Sequence, residues 1–461
     1  MAYRCLHDFL ARLEEMGELH RVKVEVDSDL EIAAVTDRCC KSPHGNKALL
    51  FERVRGSAFP VATNLFGSYR RICAALEISE LDQLGRRMEE LLAHLPASTA
   101  AQPPDLRPPS RFAPLLAEKG ECQEIVEHTP DLGDYPVLRS WPGDSGPFIT
   151  LPLVFSRDPA TGAQNCGMYR VRVFDARSAG IHWSQGSGGA GHYAEYQARG
   201  ERMPLAIALG SDPAVIWSAS LPLPEALDEM EFAGFLRNEP VRMVRCLTSG
   251  IMVPANAEMV IEGYLDPGEM RDEGAFGNHT GYYTRAGEVP LLHVTCVTRR
   301  AEPVYPATVV GQPPMEDCYL AKAAERLLLP VSRRQIPAIV DINLPIEGIF
   351  HGCAIVAIRK ERAGQARQVM EELWGSGWLR KARLLLVVDA DEAPAELSRI
   401  AWKVINNAEW PRDLVFADGK IGLDATRKLP EETGGALSEE IRKDERITSL
   451  IDRKWQEYGC A

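Results

Sequence analysis

The chain has 461 residues, 45% of them hydrophobic and 25% charged, and a net charge of −13. That length suits about three domains with cores of their own, and the acidic balance argues against nucleic-acid backbones or anionic lipid as partners. The 11 cysteines show no pairing pattern and include the adjacent Cys39 and Cys40; with no signal segment and no apolar run of spanning length, the expectation is a cytoplasmic protein with reduced thiols and no membrane insertion.

In chain order, apolar residues at helical spacing predict helices over 7–17 and 31–40, and short apolar runs predict strands at Ala48–Phe51 and Val61–Leu65. Proline-rich 95–114 marks a boundary. Strand-like runs follow at 150–155, 169–174, 205–209, 241–244, 258–262 and 291–297, separated by turn residues, which points to a mostly β unit of barrel type. A helix over 316–329 leads to strands at 338–342, 354–358 and 384–388 with helices at 365–374 and 394–406, an α/β pattern containing a parallel pair. The expected division is 1–115, 116–312, a linking helix at 313–330, and 331–461, with a charged tail after Leu423 that is either a swapped arm or mobile.

Three motifs carry chemistry. Gly186-x-Gly188-x-x-Gly191, with Asp212 about 20 residues on, matches a dinucleotide fingerprint, but its polar lead-in and the hairpin-like 175–180 favour a phosphate-approaching loop of another fold, with a plain turn as the other reading. Asn165, Glu229 and an imidazole from His192 or His182 form a mixed oxygen and nitrogen set suited to Mn²⁺ or Mg²⁺, although Asn165 and Arg170 fall on opposite faces if one regular strand holds both. Glu273-Gly-Ala-Phe-Gly-Asn278-His279-Thr-Gly-Tyr-Tyr283 packs an acid, an amide, an imidazole and phenols around three glycines, and Arg170 beside Glu273 would form a charge-assisted pair. No nucleophile elbow, Walker loop or Cys-x2-Cys pair is present.

Taken in order, Trp141-Pro-Gly-Asp144, Phe148-Ile-Thr-Leu-Pro152, Asn165-Cys-Gly-Met-Tyr-Arg170, Leu221-Pro-Leu-Pro-Glu225, Glu258-Met-Val-Ile-Glu262-Gly, Glu273 to Tyr283 and Gly422-Leu-Asp-Ala-Thr-Arg-Lys428 resemble the UbiD family of carboxylate decarboxylases over nearly the whole chain. The resemblance implies an α/β (α+β) protein: an N-terminal α/β unit, a central split β-barrel that binds prenylated FMN, and a C-terminal α/β domain that forms a homodimer or higher assembly. It implies Mn²⁺ (or Mg²⁺) and K⁺ at the flavin phosphate, and a separate flavin prenyltransferase that supplies the cofactor. By position, Asn165 and Glu229 match metal ligands, Ser218, Ala219 and Leu221 the potassium loop, Met168, Tyr169, Gly188 and Gly189 the cofactor cradle, and Arg170 with Glu273 the pair beside the reacting carbon. Two departures stand out: the family's histidine ligand falls in a glycine-rich stretch, leaving His192 as substitute, and the second acid is replaced by Asn278, so protonation falls to Glu273, His279 or water.

The implied activity is reversible, non-oxidative decarboxylation of an aromatic or heteroaromatic acid of phenolic, pyrrole or furan type, with CO2 as co-product. The alternatives are an NAD-dependent oxidoreductase built on the Gly186–Gly191 loop, or a catalytically inactive flavin-binding homologue.

Overall fold

The computed structural model describes residues 3–93, 106–224, 227–350, 352–375, 377–435, 441 and 443–459. Much of the proline-rich boundary and Glu225 of the Leu-Pro-Leu-Pro-Glu motif lie outside the described residues, as does part of the tail.

The first helix, Leu6–Glu15, buries Leu6, Phe9, Leu10 and Leu13, one apolar stripe at helical spacing. The second, Glu31–Cys40, matches the expected span. They accompany a four-stranded sheet in the order Leu19–Val26, Ala48–Val54, Val61–Thr63, Tyr305–Pro306. Leu19–Val26 leaves most side chains in water, Val24 among them, so its Val-Lys-Val-Glu-Val alternation does not mark a buried face. The last strand returns from beyond the central unit, and a single core joins Phe9 and Leu13 to Trp217 and to Leu327 of the linking helix.

The central sheet has nine strands and runs Phe148–Ile149, Val171–Asp175, Ser178–Ile181, Glu288–Arg299, Met259–Asp272, Met203–Leu209, Pro152–Arg157, Gln164–Gly167, with Ile125–Glu127 paired to Glu288–Arg299. Its hydrogen-bonded path is open, ending at Phe148–Ile149 and Gln164–Gly167, so among the described residues no closed barrel forms. The run at 241–244 is not part of it: Arg242–Arg245 sits in a separate three-stranded sheet with Met252–Pro254 and Leu115–Ala117.

The dinucleotide reading of the glycine loop is corrected here. Ser178–Ile181 pairs antiparallel with Val171–Asp175 and with Glu288–Arg299, as the hairpin lead-in suggested, and the helix Gly188–Arg199 leads to Met203–Leu209, which is not its neighbour. No βαβ unit exists there to place a pyrophosphate. Asp212 instead caps the helix Pro213–Ser218 through Ala214 N at 2.8 Å and meets Arg237 at 3.2 Å.

The helix Glu316–Gln335 runs past its expected end, through Pro330. It packs on Asp82–Ala93, where a side chain at Gly85 would come within 3.2 Å of Arg326 O. The C-terminal sheet runs Ile339–Asn343, Cys353–Ile358, Leu384–Asp389, Lys420–Asp424, Leu414–Ala417, with its middle three strands parallel. The described cysteines are all free thiols, and among the described residues no helix is long and apolar enough to cross a membrane.

Candidate active site

Asn165 and Arg170 do not share one strand. The strand Gln164–Gly167 ends, residues 168–170 bridge, and Val171–Asp175 begins, so the parity argument that put them on opposite faces does not apply. Met168 N donates to Ala219 O at 3.0 Å and pins the bridge. Gly167 permits it: a Cβ there would lie 2.4 Å from the Tyr169 ring. Arg170 then grips Glu273 with both ends of its guanidinium, Nε to Oε1 at 2.8 Å and Nη2 to Oε2 at 2.5 Å. Such a fork fixes the plane of a carboxylate as well as its charge. Phe276 supports the guanidinium from below, its ring centroid 4.5 Å away.

Glu273 is fully buried and follows directly on the long strand Met259–Asp272. The glycine-rich loop beyond it is held by side chains from another segment. Asp144 accepts from Gly277 N at 2.6 Å and Trp141 N at 2.8 Å, and Ser145 Oγ accepts from Ala275 N at 2.6 Å. Arg172 donates to the carbonyls of Glu273 and Ser145. Trp141 donates Nε1–H to Val310 O at 2.8 Å, and its indole lies where side chains at Gly277 and Gly311 would collide. Sequence reading caught Trp141–Asp144 only as a landmark and missed Ser145 and Arg172 as loop anchors; the one available signal was a glycine-rich loop short of side chains to hold itself.

The electrostatics divide the loop's acid and base. Burial raises the Glu273 carboxyl, but the hydrogen bonds from Arg170 and His182 outweigh it and leave the group below the ordinary carboxylate value. His279 is pushed down to about 4, by burial and by the Arg170 charge, so it is a neutral imidazole near neutral pH. Its ring meets Phe350 edge-on at 5.0 Å, a residue between the first two strands of the C-terminal sheet; Ile349 and Phe350 hold positive φ angles of 45° and 48°. Asn278 turns its side-chain oxygen to His279 N at 2.8 Å, so it orders the turn. His182, one of two histidines considered for the metal, stands at the pair: its Nδ1 is 3.3 Å from Glu273 Oε2 and 3.2 Å from Arg170 Nη2.

The remaining candidates gather around the helix Gly188–Arg199. A side chain at Gly188 would lie 2.2 Å from Asn165 Oδ1, and one at Gly189 would lie 2.5 Å from the Trp183 ring, so both glycines allow the helix start to press on this cradle. Trp183 in turn meets Tyr169 edge-on at 5.1 Å. Burial raises the Tyr169 phenol, with Ser187 and Asn165 beside it pulling the other way. His192, on the same helix, has Nδ1 2.9 Å from Ser156 Oγ, and Ser156 is the cross-strand partner of Asn165. Glu229 opens the helix Glu229–Arg237, capped by Asp228, and accepts from Cys166 N at 2.9 Å; burial pushes its carboxyl up to about 7. A cavity of about 420 Å³ reaches Asn165, Cys166 and Glu229, with Arg157 and Arg245 on its wall. Ser218 closes the helix Pro213–Ser218 with Oγ on Ala214 O at 2.7 Å, and Leu221 N turns back to Ser218 O at 3.2 Å.

Known proteins share this arrangement of units. Residues 10–90, 115–313 and 318–437 match, in order, the N-terminal, Rift-related and C-terminal domains of 3-octaprenyl-4-hydroxybenzoate carboxy-lyase. The chain is similar to an uncharacterized protein of Archaeoglobus fulgidus, 41% identical with 99% of each chain covered, and to one of Aquifex aeolicus, 38% identical with 99% of each covered. Among solved structures it is similar to an evolved dimeric form of the UbiD-class enzyme HmfF from Pelotomaculum thermopropionicum in complex with prFMN: 28% identity, 98% of this chain and 100% of that one, TM-score 0.82. A vanillic acid decarboxylase of Sedimentibacter hydroxybenzoicus in closed form, 24% identical with 100% of each chain covered and a TM-score of 0.88, shares the fold. With its three domains in sequence and relatives matched end to end, the chain belongs to the UbiD family of 3-octaprenyl-4-hydroxybenzoate carboxy-lyases.

Proposed function

We propose that this protein catalyses the reversible, non-oxidative decarboxylation of an aromatic or heteroaromatic carboxylic acid, with prenylated FMN as cofactor. The observation that carries the reading is the buried Arg170–Glu273 fork in a chain of this family, with a neutral His279 close by.

The residues fit the implied cofactor and ions. Asn165 Nδ2, a donor suited to a phosphate oxygen, is buried without a hydrogen-bond partner, and Glu229 is a carboxylate whose burial makes its charge costly unless a cation offsets it. Asn165, Glu229 and His192 would hold a Mn²⁺ or Mg²⁺ ion against the flavin phosphate, with the carbonyls of Ser218, Ala219 and Leu221 toward K⁺ and Met168, Tyr169, Gly188 and Gly189 along the flavin. When bound, the cofactor supplies the electron sink for the carbon that loses CO2. Arg170 orients the substrate carboxylate and keeps Glu273 ionised, and Glu273 carries the proton to the vacated carbon. Asn278, tied to its own turn, has no proton to give, and a neutral His279 presents hydrogen-bonding nitrogen to a ring that bears a hydroxyl or heteroatom. A phenol, pyrrole or furan acid therefore suits the site better than a cinnamate-like one. As a UbiD enzyme acting on a small acid, it would work as a homo-oligomer and draw its cofactor from a flavin prenyltransferase.

The test is production with and without a flavin prenyltransferase, without air exposure, followed by the absorbance spectrum and mass of the bound ligand and CO2 release over a panel of acids. A modified flavin present only with the prenyltransferase, and turnover on phenolic or heteroaromatic acids, is the expected result. Bound flavin with no CO2 release from any acid identifies an inactive homologue, and cinnamate as best substrate overturns the assigned class.

A further inference from the structure

The pair Arg170–Glu273 and the loop beyond it lack a proton source of their own. Glu273 is held ionised, His279 is neutral, and Asn278 is an amide whose oxygen is already engaged. Yet each decarboxylation consumes one proton, and Glu273 is fully buried. One titratable side chain touches Glu273 and also reaches water: the His182 side chain is 32% exposed, and its Nδ1 lies 3.3 Å from Glu273 Oε2. The same Nδ1 lies 3.2 Å from Arg170 Nη2.

These two contacts demand opposite states of one nitrogen. A guanidinium only donates, so the contact with Arg170 needs a bare Nδ1; a carboxylate only accepts, so the contact with Glu273 needs Nδ1–H. With its backbone held by His182 N on Arg170 O at 3.1 Å and its Nδ1 within reach of both groups, the ring can satisfy either partner by changing tautomer.

Building on the decarboxylase reading, we propose that His182 is the relay that reloads Glu273 with solvent protons, taking the place of the second acid that Asn278 does not provide. Water protonates Nε2 as the Nδ1 proton passes to Glu273 Oε2, leaving a neutral Nε2–H imidazole whose bare Nδ1 accepts from Arg170. Glu273, now a carboxylic acid, gives that proton to the carbon whose bond to CO2 has broken and whose electron pair remains, and returns to carboxylate. The sum is one carboxylate and one proton in, one C–H product and one CO2 out. Exchange with water restores the Nδ1–H tautomer. The charged and titratable groups around the relay are Arg170, Glu273, His279 and Arg172, with Arg380 and Lys381 approaching the 185–186 turn from the C-terminal unit.

His182 acts through Glu273, so its test separates proton supply from positioning. In the cofactor-loaded enzyme, His182→Asn keeps an N–H donor toward Glu273 but cannot relay, and His182→Phe removes the donor. Both variants are expected to lose about 10²-fold in kcat, within the range of general acid–base contributions, with KM within about threefold; imidazole added to His182→Ala should restore part of the rate. Full activity in His182→Asn would make the residue a mere orienter and overturn the proposal. In the cofactor-free protein, the carbon-13 titration of Glu273 should move upward in His182→Phe, because one of the hydrogen bonds that holds it down is gone; an unmoved midpoint would equally overturn it. A wild-type enzyme inactive on every acid sinks the decarboxylase reading itself, whereas an active wild type beside fully active variants sinks only the relay.

Discussion

Two of the places where the protein buries charge contrast a candidate site with a structural knot. At the carboxyl ends of the parallel C-terminal strands, Lys360 meets Glu432 at 2.7 Å and Thr426 Oγ1 at 2.9 Å, Lys428 meets Asp424 at 3.0 Å and Asp413 at 3.3 Å, and Lys403 meets Glu392 at 3.0 Å. Every lysine there is nearly dry and every carboxylate is tied to a neighbour, so the cluster has nothing left to offer a ligand. At Arg170–Glu273 the fork is as well made, but it leaves a histidine undecided between two partners and an imidazole that stays neutral beside it. Burial of charge alone therefore does not mark a site in this molecule; a group whose protonation the geometry leaves open does.

The sharpest way to break that contrast is Glu273→Gln. The amide keeps the shape and still faces Arg170, so flavin should remain bound while decarboxylation falls by about 10³-fold or more, read as kcat alongside flavin content; full activity would strip the fork of its role. Lys360→Met tests the other side. It leaves Glu432 without its cation, while Asp424 keeps Lys428, and should cost about 3 kcal/mol, seen as faster hydrogen exchange in Cys353–Ile358, while kcat per folded molecule holds.

Smaller effects sharpen the picture. Gly188→Ala puts a methyl group where Asn165 Oδ1 stands, and the expected outcome is about tenfold weaker retention of Mn²⁺ and flavin on dialysis, an order of magnitude typical for disturbed ligand support. His279 gives the least. Its folded pKa, about 4, lies below its ordinary 6.5, so between those values the unfolded chain binds more protons and stability falls as pH drops through the window. His279→Asn should remove a slope of the order of 1 kcal/mol, after allowance for solvent screening, measured as the difference in denaturation midpoint between pH 7 and pH 4.5.

Local pattern in the sequence determined a good deal. The helices at 7–17 and 31–40 were legible because each buries one face at a fixed period, and the strands at 354–358 and 384–388 because each is a short continuous apolar run of the kind a buried strand needs; both patterns are written in the residues themselves. The acid, arginine and asparagine candidates were legible too, as polar side chains set among glycines and in an order that resembles one family. The tertiary structure decided what periodicity cannot carry. It split Asn165 from Arg170 at a strand break, moved 241–244 to a separate sheet, and replaced a dinucleotide loop with an antiparallel hairpin and a helix, because pairing partners lie far away along the chain. It also carried His182 to Glu273 across 91 residues of sequence and supplied Asp144, Ser145 and Arg172 to hold a loop that has few side chains of its own. The protonation state of a side chain depends on neighbours and burial, and those exist only once distant segments meet.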